Sequence, residues 1–381
     1  MSPGGPRSRD ELDEIAGRCL EAGFFRGAVL RAERGAERGA GRPAGGEGRL
    51  LLERAWGHAL YAGDERIPME SSMIFDMASV SKLFTTTAIL RLATLGELGL
   101  DAKAADLAAR PEDVGAGLAA RLRASLGDVD VAALLAHSSG IHYWYPFYAR
   151  SGEGFEAILA DLLEAHPRRP ETIYSDLNFM LLGRIIERMT RASLAEAVAS
   201  LVLRPLGLER TSYGRPLGAA AATEFGNRIE RRMVADLGLS FDGWRDELRA
   251  IRGEPDDGNC FYYFGGAAGH AGVFSDALDL CRLGRLYLDG GRAGGEEYLA
   301  PALVAEAMRD RGAGRGLGFQ QGENYPGGGC GHTGFTGTYL HVNEPAGLVV
   351  AVLANRLHVA VPRDINPFRR ELSEAVLARF R

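Results

Sequence analysis

The chain has 381 residues, 46% hydrophobic and 25% charged, an ordinary make-up for a soluble globular protein with length for two or three domains. Its net charge of −6 gives no electrostatic reason to expect nucleic acid or an anionic membrane as a partner. Arginine dominates the basic residues: of 44, only Lys82 and Lys103 are lysine.

The N-terminal stretch "MSPGGPRSRDELDEIAG" has no apolar h-region, and no run of 18 apolar residues occurs, so neither a secretory signal nor a membrane span is expected. A first helix is expected from Ser8, where "SRDE" pairs Ser8 with Glu11 as a capping box. "GAVLRA" (27–32) and "RLLLERAWGHA" (49–59) predict strands around a loop rich in glycine, arginine and glutamate. A helical pattern follows over 79–96. Residues 100–250 are mostly helix and loop, with helices at 155–166, 177–190 and 193–207, the last opened by a Ser193–Glu196 capping box. "CFYYF" (260–264), "TGTYLHV" (336–342) and "GLVVAVLAN" (347–355) predict strands, with helices at 275–290 and 367–380. Strands at both ends and helices between them imply an α/β (α+β) domain from residues 1–100 and 255–381. A mostly helical insert spans 101–254, with a cleft between the two. Cys19, Cys260, Cys281 and Cys330 are far apart, so reduced thiols and a cytoplasmic location are expected.

Ser79 and Lys82 stand three apart, one turn of helix, so their side chains can meet. A serine hydroxyl needs a neighbour to take its proton. Lysine can do so when its pKa is lowered and arginine cannot, a physical reason for a lysine here in an arginine-rich chain. Alone the pair is a weak signal, with a solvated helix lysine as the plain alternative. "ETIYSDLNF" puts Tyr174, Ser175 and Asp176 just before a helix, as simple caps or as a phenol able to relay protons. "GGGCGHTGFTGT" puts His332, Thr333 and Gly334 at the start of a predicted strand. It is either a glycine-rich turn or a cleft-lining edge strand whose Phe335 N–H stabilises an oxyanion.

Taken in order, these three stretches resemble the motifs of the serine β-lactamase and penicillin-binding-protein superfamily, closest to the class C β-lactamase, DD-peptidase and esterase branch. "LLAHSSGI" (134–141), "GGAAGHAGVFSDALDL" (265–280) and "VVAVLANRLH" (349–358) extend the likeness. The resemblance implies a β-lactamase-like fold, with an antiparallel sheet flanked by N- and C-terminal helices. It implies Ser79 as acylated nucleophile, Lys82 as base and Tyr174 as proton relay. Asp176, His332, Thr333, Gly334 and Phe335 would meet the substrate, with the N–H groups of Ser79 and Phe335 as oxyanion hole. Asp176 stands where the pattern often has asparagine, and His332 where it often has lysine. Asp257, Asn259 and His270 border the expected cleft, His137 is expected to be structural, and "GAGRGLG" (312–318) is expected to be a plain loop.

No Gly-x-Ser-x-Gly elbow is present, and the eight histidines lack metal-site spacing. The expectation is therefore a cofactor-free, metal-free serine hydrolase. It would be an esterase or amidase on small acyl substrates, with β-lactamase or DD-carboxypeptidase activity next. A catalytically silent binding protein on the same fold is the reading from another class.

Overall fold

The computed structural model describes residues 10–35, 48–150 and 152–380. Six strands form an antiparallel sheet in the order Cys330–Thr333, Tyr339–Asn343, Leu348–Ala354, Gly27–Arg34, Arg49–Ala62, Glu65–Pro68. The two ends of the chain meet inside it, where Ala28 pairs with Ala354.

Every residue of Leu348–Ala354 is buried, which explains its unbroken apolar run. Val349, Ala351 and Leu353 join the cluster of Leu280, Leu283 and Leu286 from the helix Ala277–Leu288. Val350, Val352 and Ala354 alternate to the other face. They pack with Leu12 and Ile15 of the helix Glu11–Glu21 and with Phe368, Leu372 and Val376 of the helix Asn366–Phe380. A fully buried Val, Leu or Phe contributes about 1.5–3 kcal/mol, so this strand anchors three helices at once. The apolar cluster on the Val349 face continues into the helices Ser81–Thr94 and Asp176–Thr190.

Several expectations need correction. Ser8 lies outside the described residues, as does most of the 33–48 loop; the first helix is capped by Asp10, which accepts from Leu12 N–H. The Ser193–Glu196 capping box is present. "CFYYF" is a π-helical turn, Asn259–Tyr263, not a strand. Asn259 holds that turn from inside, accepting Phe147 N–H at 2.8 Å and donating to Tyr145 O at 2.9 Å, so its aromatics pack on both sides instead of alternating on a sheet. The mostly helical middle also carries short strands at Ser212–Tyr213, Ala222–Phe225 and Ala250–Arg252.

Candidate active site

The chain leaves the two-residue strand Phe75–Asp76 and turns sharply at Ala78, whose φ of 46° lies in the left-handed region that alanine rarely adopts. Such a residue stores strain of order 1 kcal/mol and persists only when its surroundings enforce it. Asp76 Oδ1 accepts Ala78 N–H at 2.9 Å, and Oδ2 accepts Asp256 N–H at 2.7 Å. From the sheet side, the hydroxyls of Thr336 and Thr338 donate to Asp76 O and Met77 O, both at 2.8 Å. Ser81 Oγ accepts Val273 N–H at 3.1 Å. Ser79 thus sits on a short turn, Ala78–Val80, pinned from three directions before the helix Ser81–Thr94 begins.

Lys82 follows one turn later, fully buried at 0% exposure. Its Nζ donates to Ser79 Oγ at 2.9 Å and to His270 O at 3.3 Å, and ion-pairs with Asp176 Oδ1 at 2.8 Å. Two oxygens accept hydrogen bonds from Nζ, and Asp176 Oδ1 meets it as an ion pair without hydrogen-bond alignment. Burial pulls the Lys82 pKa down, but Asp176 and then Tyr174 outweigh it and hold it above the ordinary lysine value. The resting lysine is therefore a cation. This corrects the expectation of a pKa lowered by desolvation: the carboxylate at 176 reverses the sign.

Tyr174 lies over the pair, its ring centroid 5.0 Å from Lys82 Nζ and 4.8 Å from the Arg315 guanidinium carbon. His137 supports it, with ring centroids 4.5 Å apart. His137 Nδ1 accepts Ser175 N–H at 3.0 Å, and burial followed by the Lys82 charge keeps this histidine neutral, well below its ordinary pKa. It is a structural histidine, at a backbone position with φ of 58°.

The third motif sits at the end of the edge strand Cys330–Thr333, not at a strand start. Thr333 faces the cleft, and its hydroxyl donates to Gln320 Oε1 at 3.0 Å. His332, its neighbour on a period-2 strand, is buried behind the cleft lining, its ring centroid 6.2 Å from that of Tyr174. It is fully buried, its Nδ1 2.8 Å from Thr333 O, and burial, Lys82 and Arg315 drive its pKa well below the usual value. It neither carries charge nor reaches the cleft wall, so the expected substrate contact from His332 is withdrawn. Gly334 is required by the protein itself: a Cβ there would stand 1.9 Å from Thr338 Oγ1 and 2.7 Å from Met77 O. Phe335 is exposed on the rim. Neither Ser79 N–H nor Phe335 N–H is hydrogen-bonded to another described residue.

A cleft of about 550 Å³ opens over these groups, lined by Ser79, Tyr174, Asp176, Thr333, Gly334 and Phe335, with Trp144 and Met233 as apolar wall. Asp257 also lines it. His270 and Asn259 are buried behind it, His270 with its Nε2 3.0 Å from Asp257 Oδ1. Arg315, from the loop expected to carry no chemistry, enters the cleft as well. Gly318 lets that loop close on the nucleophile helix, since a Cβ would meet Thr86 Oγ1 at 2.0 Å. The Arg315 guanidinium has no hydrogen-bond or ion-pair partner among the described residues. An arginine in a loop gives no periodic signal, and only the loop's tight glycines hinted at a close approach. Among the described residues no cluster of metal-ligating side chains occurs, and no helix is long and apolar enough to cross a membrane.

The beta-lactamase family model matches residues 31–374. The chain belongs to the beta-lactamase family. An N-acetylmuramyl-L-alanine amidase of Bacillus subtilis (strain 168) is 26% identical over 385 residues, covering 92% of this chain and 81% of that protein. A class C beta-lactamase from Rhodobacter sphaeroides superposes with a TM-score of 0.66 at 20% identity, covering 97% of this chain and all of the other. EstCE1, a hydrolase with promiscuous acyltransferase activity, gives a TM-score of 0.66 at 18% identity, covering 96% and 97%. At such identities the two structures attest the β-lactamase-like fold. The β-lactamase-family sheet accordingly runs antiparallel between terminal helices on one face and the helical layer on the other.

Proposed function

We propose that this protein is a serine hydrolase that forms an acyl-enzyme on Ser79 and cleaves amides or esters of small acyl groups. One observation carries the reading: Ser79 Oγ, in the lining of an open cleft, lies 2.9 Å from a buried Lys82 that is ion-paired with Asp176. Lys82 as an ammonium cannot accept the serine proton at rest. Tyr174 is the remaining group, and the two cations beside its ring stabilise the charge that builds on its oxygen. Ser79 Oγ bonds to the substrate carbonyl carbon as its proton moves to the Tyr174 oxygen and the phenol's own proton is passed on towards the leaving-group nitrogen or oxygen. The free N–H groups of Ser79 and Phe335 take the oxyanion. The C–N or C–O bond then breaks as Tyr174 protonates the leaving group. Water repeats the sequence in reverse and frees the acid.

A carboxypeptidase-like or β-lactam-directed activity is a second reading, favoured by Arg315. Its unpaired guanidinium suits a carboxylate on the departing part of a substrate, a place the neutral His332 cannot fill. The name of the Bacillus relative is consistent with amide chemistry. The test is labelling with a fluorophosphonate followed by peptide mapping. A single adduct on Ser79, absent in Ser79→Ala with unchanged thermal melting, is expected. No adduct would instead favour a silent binding protein.

A further inference from the structure

The carbonyl that Lys82 meets belongs to a tight turn. Ala268 and Ala271 exchange N–H···O bonds at 3.3 and 3.2 Å, and Gly269 and His270 form the corner between them. Both corner carbonyls face the nucleophile helix, one helical turn apart. Gly269 O accepts the Thr85 hydroxyl at 2.7 Å, and His270 O accepts Lys82 Nζ at 3.3 Å. Behind the corner there is no slack, since a Cβ on Gly269 would stand 1.9 Å from Phe179 O.

The His270 side chain is buried, with a single polar anchor. Its Nε2 stands 3.0 Å from Asp257 Oδ1, while Nδ1 is buried without a hydrogen-bond partner among the described residues. A proton on Nδ1 would be a buried donor with nothing to meet, so the ring's proton belongs on Nε2, where Asp257 accepts it. Asp257 is itself tied to backbone, because the same Oδ1 accepts Cys260 N–H at 2.7 Å in the π-helical turn. A corner that had only to close could carry an apolar side chain. This one buries an imidazole with one nitrogen unmet, and the other nitrogen links the lysine's carbonyl to a residue of the cleft lining.

Resting on the acyl-enzyme reading above, we propose that Asp257 and His270 are positioning residues for Lys82. Asp257 fixes the imidazole, the imidazole fixes the pitch of the corner, and the corner carbonyl holds the ammonium where it reaches Ser79 Oγ. Two fixed oxygens define the place of the ammonium, Asp176 Oδ1 at 2.8 Å and His270 O at 3.3 Å. When the corner loosens, the lysine follows its ion pair with Asp176 and the 2.9 Å bond to Ser79 is lost. Neither residue of the pair touches the reacting atoms, so the effect is on kcat and the two act as a unit.

The test is a double-mutant cycle on p-nitrophenyl butyrate hydrolysis with His270→Phe, Asp257→Ala and the double variant, each checked for a cooperative melt. His270→Phe keeps the ring and removes the donor; kcat should fall about tenfold or more, with KM within about twofold. The double variant should be no slower than the worse single one to within about threefold. Two conservative variants should recover most of the rate: His270→Gln, whose amide N–H can reach Asp257, and Asp257→Asn, whose oxygen still accepts. These two, compared with His270→Asn, whose amide is too short to reach Asp257, decide the matter if His270→Phe or Asp257→Ala does not fold. Losses that multiply in the double variant, a His270→Gln enzyme no faster than its Phe or Asn counterpart, or an Asp257→Ala enzyme altered in KM alone would overturn the proposal. Ser79 labelling and ester hydrolysis by the unmodified protein would then still stand. If the unmodified protein neither labels nor hydrolyses, the acyl-enzyme reading falls and the proposal with it.

Discussion

Asp176 changes what Lys82 is. With a carboxylate at 2.8 Å and two further acceptors, the lysine works as a fixed cation beneath Ser79, and the proton has to travel through Tyr174. Tyr174→Phe keeps the ring that stacks on His137 and removes only the hydroxyl. Its kcat/KM should drop about 10²- to 10⁴-fold with little change in melting temperature. A near-normal rate would hand the base role back to Lys82. Arg315→Ala should raise KM for substrates ending in a carboxylate by roughly tenfold or more, the value of one charge-assisted contact, and spare neutral aryl esters. Steady-state kinetics on matched carboxylate and amide substrates checks it. Ser79, Lys82 and Tyr174 are legible in the sequence because helical spacing and motif order survive without tertiary information. Arg315 is not, since only the closure of its loop on Thr86 brings it to the cleft. His332 is half legible: if Thr333 faces the cleft, strand alternation already turns its neighbour inward, so the alternation itself argued against a substrate contact.

At the scale of elements, the nucleophile turn is not self-supporting. Its left-handed Ala78 is enforced by Asp76 from within and by Thr336 and Thr338 from the turn between the strands Cys330–Thr333 and Tyr339–Asn343. Both threonines are buried, and both donate to carbonyls of the nucleophile segment. Replacing them by valine keeps volume and removes one hydrogen bond each from Asp76 O and Met77 O, the latter keeping Val80 N–H at 3.0 Å, at about 0.5–1.5 kcal/mol each. Thr336→Val/Thr338→Val should therefore lower stability in urea titration and lower kcat more than KM, because the serine and the Phe335 N–H lose their common frame. A stable double variant with normal kcat would show that the frame lies elsewhere. The long strands and amphipathic helices could be predicted because their periodicity is strong. The π turn at Asn259–Tyr263 could not, because one buried asparagine overrides a run of aromatic residues with high strand propensity.

Across the whole molecule, burial of titratable groups sets the response to pH. Among the described residues five carboxyls are raised chiefly by burial: Asp76 to about 7, Glu224 to about 8, and Glu230, Asp256 and Asp279. Above about pH 4 the unfolded chain has released these protons and the folded chain retains them, so stability falls as pH rises through this range. Five histidines are lowered chiefly by burial: His341 to about 4, and His137, His142, His332 and His358. Below about pH 6.5 the unfolded chain binds protons that these buried rings refuse, so their contribution rises with pH. The two sets oppose each other up to about pH 6.5. Beyond it the histidines are neutral in both states and only the carboxyls act, at about 1.4 kcal/mol per pH unit for each still-protonated group. Asp76 drops out near 7 and Glu224 near 8. Melting temperature at constant ionic strength should therefore peak near pH 6 and decline towards pH 8, with Glu224→Gln showing a shallower decline. A melting temperature that climbs steadily from pH 6 to 8 would mean that Asp76 and Glu224 are ionised in the folded protein, held by compensating charge.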